Sequence, residues 1–337
     1  MIQENFNLKA FNTFGINAQT KYFAQFNHIN QLEEIVSSEI GQKNELLILG
    51  GGSNLLFTQN FNGLVLKNDL KGIEVIDENE ASIWVKCAAG ENWHQFVLFC
   101  IQNNYAGLEN LSLIPGNVGA SPMQNIGAYG VEVKDLITKV SAWHIRDKKM
   151  VHFNATACEF GYRESVFKRQ FKNQFVICEV VFKLHKKANF NTTYGAIEKE
   201  LEKMGVQELS IKAVSDAVIN IRSSKLPNPL ELGNAGSFFK NPVVSNEKAA
   251  EILVNYADAP HYPQKDGSEK LAAGWLIEKC GWKGFVRNNH GVHKLQALVL
   301  VNYGGATGNE IWQLSEDIIQ SVQQKFGIEL EREVNII

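Results

Sequence analysis

The chain has 337 residues, 45% of them hydrophobic and 20% charged, and 33 basic against 36 acidic side chains give a net charge of −3. This balance is typical of a soluble globular protein and excludes the strong basic excess of most nucleic-acid-binding proteins. No apolar run approaches the roughly 20 residues needed to cross a bilayer. Residues 1–25 lack the apolar stretch of a signal peptide. We therefore expect a cytoplasmic protein of two or three domains.

The elements of the first half are predicted from apolar periodicity. Short apolar or alternating runs predict strands at residues 45–49, 62–67, 73–76, 82–88, 133–146 and 175–184. Apolar residues three and four apart predict helices at residues 31–40 and 92–102. The first half is therefore expected to be rich in strands.

From about residue 214 the pattern becomes mainly helical. Helices are predicted at residues 213–222, 246–256, 269–280 and 309–326, with a buried strand at residues 297–302. The last helix has a capping box, Thr307 with Glu310, and a stop at Gly327. This change in pattern indicates a seam between about residues 187 and 214.

The cysteines and histidines indicate neither disulfides nor a metal site. The five cysteines form no C-x-x-C pair: Cys87, Cys100, Cys158, Cys178 and Cys280. We expect free thiols in a reducing compartment. His290 and His293 are three residues apart rather than four, and no third ligand is evident, so no metal is predicted.

A glycine run after a predicted buried strand is the first motif that indicates chemistry. It comprises Gly50, Gly51, Gly52, Ser53 and Asn54. Successive backbone N–H groups of such a run converge on one point, which favours an anion such as a pyrophosphate. The run is neither a G-x-G-x-x-G motif nor a P-loop, and a glycine run after a strand is more often a simple tight turn.

The second motif is a glycine-rich segment at residues 114–130, I-P-G-N-V-G-A-S-P-M-Q-N-I-G-A-Y-G. Its small residues would let the backbone approach a flat ligand, whose polar edge Gln124 and Asn125 would bind. An irregular loop is the alternative, although a structureless loop of this length is uncommon without a function.

Three further residues stand in separate motifs, and each has an ordinary structural explanation when taken alone. Arg163 follows Gly161 and Tyr162, Ser237 lies among glycines and phenylalanines, and Glu333 is close to the C-terminus. Each is a candidate catalytic residue that composition and spacing leave undecided.

In this order the motifs resemble those of the UDP-N-acetylenolpyruvoylglucosamine reductase (UDP-N-acetylmuramate dehydrogenase) family. The resemblance runs from N-T-F-G at residues 12–15 to E-R-E-V-N-I-I at residues 331–337. It includes G-N-A-G-S-F-F-K-N-P at residues 233–242 and A-G-W-L-I-E at residues 273–278. T-T-Y-G at residues 192–195 resembles the tyrosine loop of the type I members.

The resemblance implies an α+β fold. The expected parts are a split FAD-binding unit of the vanillyl-alcohol-oxidase kind, made of two α+β subdomains, and an α+β substrate-binding domain. Residues 1–70 would form the first FAD subdomain, residues 71–213 the second and residues 214–327 the substrate domain. The strand at residues 328–337 is a candidate to return to the first subdomain.

The resemblance also implies roles for individual residues. The expected cofactor-binding residues are Gly50, Gly51, Gly52, Ser53, Asn54, Pro115, Gly116, Gly119, Ala120, Ser121, Gln124, Asn125, Gly127, Ala128, Tyr129 and Arg222. The expected substrate-binding residues are Tyr194, Lys225, Asn241 and Gln296. The expected catalytic residues are Arg163, Ser237 and Glu333.

The implied reaction is NADPH-dependent, FAD-mediated reduction of UDP-N-acetylglucosamine enolpyruvate to UDP-N-acetylmuramate in peptidoglycan precursor synthesis. FAD is expected to bind non-covalently, because no histidine or cysteine lies within residues 50–54 or 115–130. The expected partners are the UDP-sugar and NADPH, with no nucleic acid and no membrane, and the enzyme is expected to be a monomer. A flavin oxidase, a non-catalytic nucleotide-binding protein and a plain α/β domain with glycine-rich turns are the alternatives.

Overall fold

The structure is a computed structural model that describes residues 1–193 and 196–337. Tyr194, a predicted substrate-binding residue, lies outside the described residues. The α-helices of the described part are α1 Ile29–Ser37, α2 Glu39–Lys43, α3 Trp93–Gln102, α4 Ile197–Lys203, α5 Ile211–Lys225, α6 Asn246–Asn255, α7 Ala273–Lys279 and α8 Gly308–Phe326.

The β-strands of the described part are mostly short. They are β1 Gln3–Asn7, β2 Gln19–Phe26, β3 Leu46–Leu49, β4 Leu55–Leu56, β5 Phe61–Asn68, β6 Ile73–Glu78, β7 Ser82–Ala88, β8 Gly127–Ala128, β9 Val131–Glu132, β10 Ile137–His144, β11 Lys149–Asn154, β12 Phe175–His185, β13 Gly233–Ser237, β14 Val243–Val244, β15 His261–Pro263, β16 Glu269–Leu271, β17 Val286–Arg287, β18 His290–Val292, β19 Val299–Asn302 and β20 Asn335–Ile336.

The described residues form two compact units, each assembled from three stretches of chain. The first comprises Met1–Phe6, Thr20–Gly51 and Asn62–Ser224, and the second comprises Asn7–Gln19, Gly52–Phe61 and Lys225–Ile337. The sequence predicted three parts with boundaries at residues 70 and 213, and that finer division stays a prediction.

The first unit is built around a five-stranded antiparallel sheet in the order β11-β10-β12-β7-β6. The helix α3 begins at the N-cap Asn92, whose side chain accepts a hydrogen bond from the Gln95 N–H. The buried rings of Trp93, Phe96 and Phe182 pack together, with 5.0 Å between the Phe96 and Phe182 centroids. This apolar cluster packs α3 against β12, and the second glycine-rich segment follows α3 in the chain.

A second sheet in the first unit has the order β1-β2-β5-β3 and supplies the strand before the glycine run. Strands β3 and β5 pair in parallel, with Leu49 opposite Lys67. The pattern predicted β3 and β5 but missed β1 and β2, because their solvent-facing Asn and Gln residues hide the apolar alternation.

The second unit contains the four-stranded sheet β13-β19-β18-β17, the three-stranded sheet β14-β16-β15 and the parallel pair β20-β4. The long helix α8 buries one face, formed by Ile311, Leu314, Ile318 and Val322. Its predicted capping box is confirmed, as is its end at Gly327, whose φ of 66° is the left-handed conformation that glycine adopts readily.

Two element predictions are wrong. Residues 269–280 were expected to form one helix, but Glu269–Leu271 is the central strand of the sheet β14-β16-β15 and the helix α7 starts at Ala273. Residues 133–146 were expected to form one strand, but Val133–Asp135 is a 3-10 turn and the strand begins at Ile137. In both cases tertiary hydrogen bonding, which a local pattern does not contain, decides the boundary. Within the described residues no helix is long and apolar enough to cross a membrane.

Candidate active site

The glycine run after β3 meets the second glycine-rich segment within the first unit. A Cβ on Gly51 would lie 2.8 Å from Gly116 Cα and 2.9 Å from Asn117 Oδ1, so the backbones approach too closely for a side chain. A Cβ on the preceding Gly50 would make only an ordinary contact, 3.7 Å from Asn117 Cβ. Two predicted cofactor-binding segments that are more than 60 residues apart in sequence therefore lie side by side.

Gly52 belongs to the second unit and contacts the N-T-F-G segment there. Its φ is 63°, and a Cβ would lie 2.0 Å from the Phe11 carbonyl oxygen. The Thr13 N–H donates to the Gly52 carbonyl at 3.0 Å, and the Thr13 carbonyl accepts from the Asn234 N–H at 3.0 Å. The N-T-F-G segment thus joins the glycine run to the G-N-A-G-S-F segment.

The second glycine-rich segment is held against the turn that precedes α3. The N–H groups of Val118 and Gly119 donate to the Glu91 and Ala89 carbonyls, each at 2.9 Å. Ser121 follows with a side chain that is 1% exposed. Its hydroxyl has no hydrogen-bond partner among the described residues. Buried hydroxyls are normally paired, so this group is suited to a bound ligand.

Asn125 has a structural role in the first unit. It is fully buried, and its amide donates to the Gly161 carbonyl at 2.9 Å and to a Glu132 carboxylate oxygen at 3.2 Å. Its side-chain oxygen accepts from the Lys134 N–H at 3.0 Å. Because these bonds use the amide, its predicted contact with a cofactor stays a prediction.

Arg163 lies on a strained turn next to the glycine-rich segment. Its φ is 57°, a left-handed conformation that is uncommon for a residue other than glycine. Its guanidinium donates to the Gly127 carbonyl at 2.8 Å and lies 5.3 Å from the centre of the Tyr162 ring. Strain of this kind is concentrated at functional sites, where the surrounding structure maintains it.

Arg222 is a cationic group that the first unit buries beside Tyr129. Its Nε is buried and has no partner among the described residues, while the Tyr129 side chain forms a hydrogen bond with the guanidinium. Burial lowers the pKa of Arg222, and Tyr129 opposes that shift. Burial also lowers the pKa of His94, and the charge of Arg222 lowers it further. The group is suited to an anionic or carbonyl acceptor.

In the second unit the segments that carry Ser237 and Glu333 lie side by side. The Glu333 N–H donates to the Phe238 carbonyl at 2.8 Å, and Phe239 forms an antiparallel bridge with Arg332. Ser237 is exposed, at the end of β13, and Glu333 is half-buried. The two predicted catalytic residues of this unit therefore lie on segments that hydrogen-bond to each other.

Asn54 borders the segment that carries Glu333, residues 331–334, on the side away from Phe238. Its carbonyl accepts from the Asn335 N–H at 3.2 Å and from the Asn335 side chain at 2.8 Å. Its side-chain amide donates to the Glu333 carbonyl at 3.4 Å. The main chain around Glu333 is thus held on two sides, by Asn54 and by Phe238.

Asn241 and Gln296, predicted to bind substrate, meet at the start of α7. The Asn241 side chain accepts from the Ala273 N–H at 3.0 Å. A Cβ on Gly274 would lie 3.0 Å from the Gln296 side-chain oxygen, which also accepts from the Leu298 N–H at 3.3 Å. The A-G-W-L-I-E motif therefore brings two predicted substrate residues together.

Lys225 is exposed, and the buried His293 supports its main chain. The His293 side chain forms a hydrogen bond with the Lys225 main chain, which opposes the lowering of the His293 pKa by burial and by Lys294. From the sequence His293 was interpreted as a loop or structural histidine, and its contact with Lys225 was not predicted. No local signal indicates this contact, because it joins residues 68 positions apart.

These residues fit the cofactor that the resemblance implies. Gly51 provides a backbone position with space only for hydrogen, and the Ser121 hydroxyl and Arg222 Nε are buried polar groups with no partner among the described residues. Hydrogen-bond donors of this kind suit the phosphates and carbonyl oxygens of FAD. No cluster of metal-ligating side chains is found in the described part of the chain.

Comparison with known proteins first defines the class. Residues 20–154 match a family model described as FAD binding domain, and residues 228–337 match the model of the UDP-N-acetylenolpyruvoylglucosamine reductase C-terminal domain. The molecule is an α+β flavoprotein, and the predicted fold class and FAD cofactor are confirmed.

Full-length relatives then define the family. Proteins named UDP-N-acetylenolpyruvoylglucosamine reductase from Flavobacterium johnsoniae and Amoebophilus asiaticus are 49% and 47% identical, each over 100% of this chain and 99% of the relative. A solved reductase structure from Thermus caldophilus shares the fold, with a TM-score of 0.69 and 20% identity over 100% of this chain and 99% of that one. The chain belongs to the UDP-N-acetylenolpyruvoylglucosamine reductase family, an enzyme class of FAD-binding oxidoreductases.

Proposed function

We propose that the protein catalyses the NADPH-dependent, FAD-mediated reduction of UDP-N-acetylglucosamine enolpyruvate to UDP-N-acetylmuramate in peptidoglycan precursor synthesis. The main support is the pairing of the Ser237 and Glu333 segments in a chain that is 49% identical over its full length to a protein named as this reductase. FAD, when bound, supplies the hydride to the enolpyruvyl double bond after receiving it from NADPH. Residues 50–54 and 115–130, with Arg222, would hold it non-covalently.

Arg163 would stabilise the negative charge that develops on the substrate. Addition of hydride to the double bond moves charge onto the adjoining carboxylate, and a fixed cation lowers that barrier. The planar guanidinium matches a carboxylate through two hydrogen bonds. Its bond to the Gly127 carbonyl, at 2.8 Å, and its strained backbone support a preorganised orientation.

Ser237 and Glu333 would act on the proton and on the charge. Ser237 is exposed and would donate the proton to the substrate carbon. Glu333 would help only when protonated, because a protonated carboxyl group donates a hydrogen bond whereas a carboxylate repels the developing charge. The main-chain bonds to Phe238 and Asn54 would hold Glu333 in place for this role.

Lys225, Asn241, Gln296 and Tyr194 would bind the UDP-sugar. Lys225 offers an exposed ammonium group for the diphosphate, and its main chain is supported by His293. Asn241 and Gln296 converge at the start of α7. Tyr194 lies outside the described residues, and its role is proposed from the T-T-Y-G motif alone.

The experiment that tests this function is anaerobic stopped-flow absorbance of the flavin. Reduction by NADPH should bleach the flavin, and mixing with UDP-N-acetylglucosamine enolpyruvate should restore its colour. Ser237→Ala should leave the first step unchanged and slow the second by roughly 100-fold or more, the usual contribution of a general acid. Ser321→Ala, on α8, is the matched control and should behave as wild type. Reduced wild-type flavin that responds only to oxygen would indicate a flavin oxidase and contradict the proposal.

We also propose that the enzyme acts in the cytoplasm as a monomer. Its proposed substrates are cytoplasmic nucleotides, and the monomer is proposed from the family resemblance alone. Sedimentation velocity of the FAD-loaded protein should give the mass of one chain. A mass of two chains at micromolar concentration would refute the monomer.

A further inference from the structure

We infer that Lys240 is a positioning residue whose ion pair with Glu331 fixes the register between the serine segment and the glutamate segment. The serine segment is residues 237–241, and the glutamate segment is residues 331–334. This inference rests on the proposed function, because that function gives Ser237 and Glu333 their roles. The proposed chemistry gives Lys240 no direct part, and the inference gives this buried lysine a positioning role.

The backbone ladder between the two segments is short. The Lys240 N–H donates to the Glu331 carbonyl and the Glu333 N–H donates to the Phe238 carbonyl, each at 2.8 Å. These two bonds flank the antiparallel bridge between Phe239 and Arg332. A ladder of this length specifies register weakly, and a slip by one residue would turn every side chain to the opposite face.

The Lys240 side chain adds the specificity that the ladder lacks. Lys240 is only 7% exposed, and its Nζ lies 2.5 Å from a Glu331 carboxylate oxygen. The same two residues also share the backbone bond, so the ion pair reinforces the register in which Lys240 is directly opposite Glu331. A slip by one residue would place Leu330 or Arg332 opposite Lys240 and move the carboxylate away from a buried ammonium group, which is unfavourable.

Other contacts anchor the glutamate segment to α8 and to Asn54. Arg332 donates to Ser315 at 2.8 Å and to Glu316 at 2.6 Å, both on α8. Asn54 bonds to the Glu333 carbonyl on the side away from Phe238. These contacts place the segment relative to α8 and to residue 54, whereas the Lys240 ion pair places it relative to the serine segment. Lys240 lies three residues after Ser237, which ends β13, so the register set at Lys240 is carried along a short extended stretch to the proposed proton donor.

The test compares Lys240→Met, Lys240→Arg and Glu331→Gln in the FAD-loaded enzyme. Glu331→Gln is included because the Glu331 side chain is 69% exposed and its replacement leaves the core intact if Lys240→Met does not fold. Glu251→Gln is the matched control, since it removes an ion pair with Lys248 on α6 in the same unit and lies in neither segment. Hydrogen exchange of peptides from residues 237–242 and 328–337 is measured beside the two flavin half-reactions.

Lys240→Met and Glu331→Gln should speed exchange in both peptides and slow flavin reoxidation by the enolpyruvyl substrate by about tenfold or more, because a small misplacement of reacting groups is costly. Flavin reduction by NADPH should stay within about twofold of wild type, and KM should change less than kcat. Lys240→Arg should restore reoxidation, and Glu251→Gln should match wild type. Unchanged exchange in both peptides, or equal slowing of both half-reactions, would overturn the inference. A wild type that the substrate does not reoxidise would refute the proposed function instead, and the exchange data would still decide the register.

Discussion

Ser121, Arg222 and His290 each bury a polar side-chain atom that has no hydrogen-bond partner among the described residues. Buried polar groups are normally paired, so each case requires a physical explanation. Ser121 and Arg222 lie where the resemblance places the cofactor, and a bound ligand would complete their hydrogen bonds. His290 lies on β18, outside the predicted site, and both of its ring nitrogens are unpaired. It is tolerated as a neutral imidazole, because the neutral ring is less costly to bury than the charged one.

The buried state of His290 predicts a loss of stability in mild acid. Burial lowers its pKa, Arg287 adds to the shift, and Glu310 and Asp317 oppose it. The unfolded chain, with a histidine pKa of about 6.5, therefore binds a proton more readily than the folded protein. The stabilisation from neutral His290 is complete above the unfolded histidine pKa of about 6.5. It is lost as the pH falls from that value toward the lower pKa of His290 in the folded protein.

The wild-type protein should therefore melt at a lower temperature at about pH 5.5 than at about pH 7.5, two conditions that bracket the unfolded histidine pKa of about 6.5. His290→Phe should show a smaller difference between the two melting temperatures. Differential scanning fluorimetry at the two pH values measures the effect, and His28→Gln at an exposed position is the control that should leave the decrease unchanged. The same decrease in His290→Phe and wild type would refute this explanation. His293, whose pKa burial also lowers, should account for part of what remains.

At the scale of elements, the three glycines at residues 50–52 lie in different structural environments. Gly50 makes ordinary contacts, Gly51 has a neighbouring backbone where a Cβ would be, and Gly52 has both a blocked Cβ position and a left-handed φ. A sequence shows three identical residues and does not distinguish them. The distinction arises because the run packs against Gly116 in the first unit and against Phe11 in the second.

This difference predicts the result of a matched pair of substitutions. Gly51→Ala should separate the run from the Gly116 backbone and lower the FAD bound per chain on purification, because a Cβ at 2.8 Å requires the backbone to move. Gly50→Ala, one residue away, should retain nearly full FAD content. The flavin-to-protein absorbance ratio and FAD titration calorimetry measure the effect. Equal FAD affinity in the two variants would contradict the proposed role of this contact.

At the scale of the whole molecule, each compact unit is assembled from distant stretches of chain. The second unit takes Asn7–Gln19 and Gly52–Phe61 from the N-terminal region and combines them with Lys225–Ile337. In that unit the parallel pairing of β4 with β20 joins residues that are 280 positions apart, as for Asn335 with Leu55. Stability of such a fold depends on long-range contacts in both units and on no disulfide.

The cysteines provide a test at this scale. All five are free thiols, and four of them are buried. Burial raises the pKa of Cys158 and Cys178 to about 12, and raises those of Cys87 and Cys100 further, while Cys280 is half-buried. A thiol-specific reagent should therefore label Cys280 first in the native protein and all five thiols after unfolding. Dithiothreitol should leave the melting temperature unchanged, and fewer than five reactive thiols after unfolding would refute the assignment.

The sequence by itself determined the α+β class, the FAD cofactor, the family and most of the long elements. The helix α8 was predictable because its capping box, apolar face and terminal glycine are all local. The strand β16 was not, because Glu269–Leu271 has a helix-like composition and becomes a strand only through pairing with β14 and β15.

In the candidate site, too, some features follow from local sequence motifs and others only from tertiary contacts. Motif order along the chain predicted Arg163, Ser237 and Glu333, but it contained neither the ion pair of Lys240 with Glu331 nor the support of Lys225 by His293. Those contacts join residues 68 to 91 positions apart, and whether a lysine is buried or a histidine is paired depends on the elements packed around it. Local patterns record what one segment favours, whereas only the packed chain decides which segments meet.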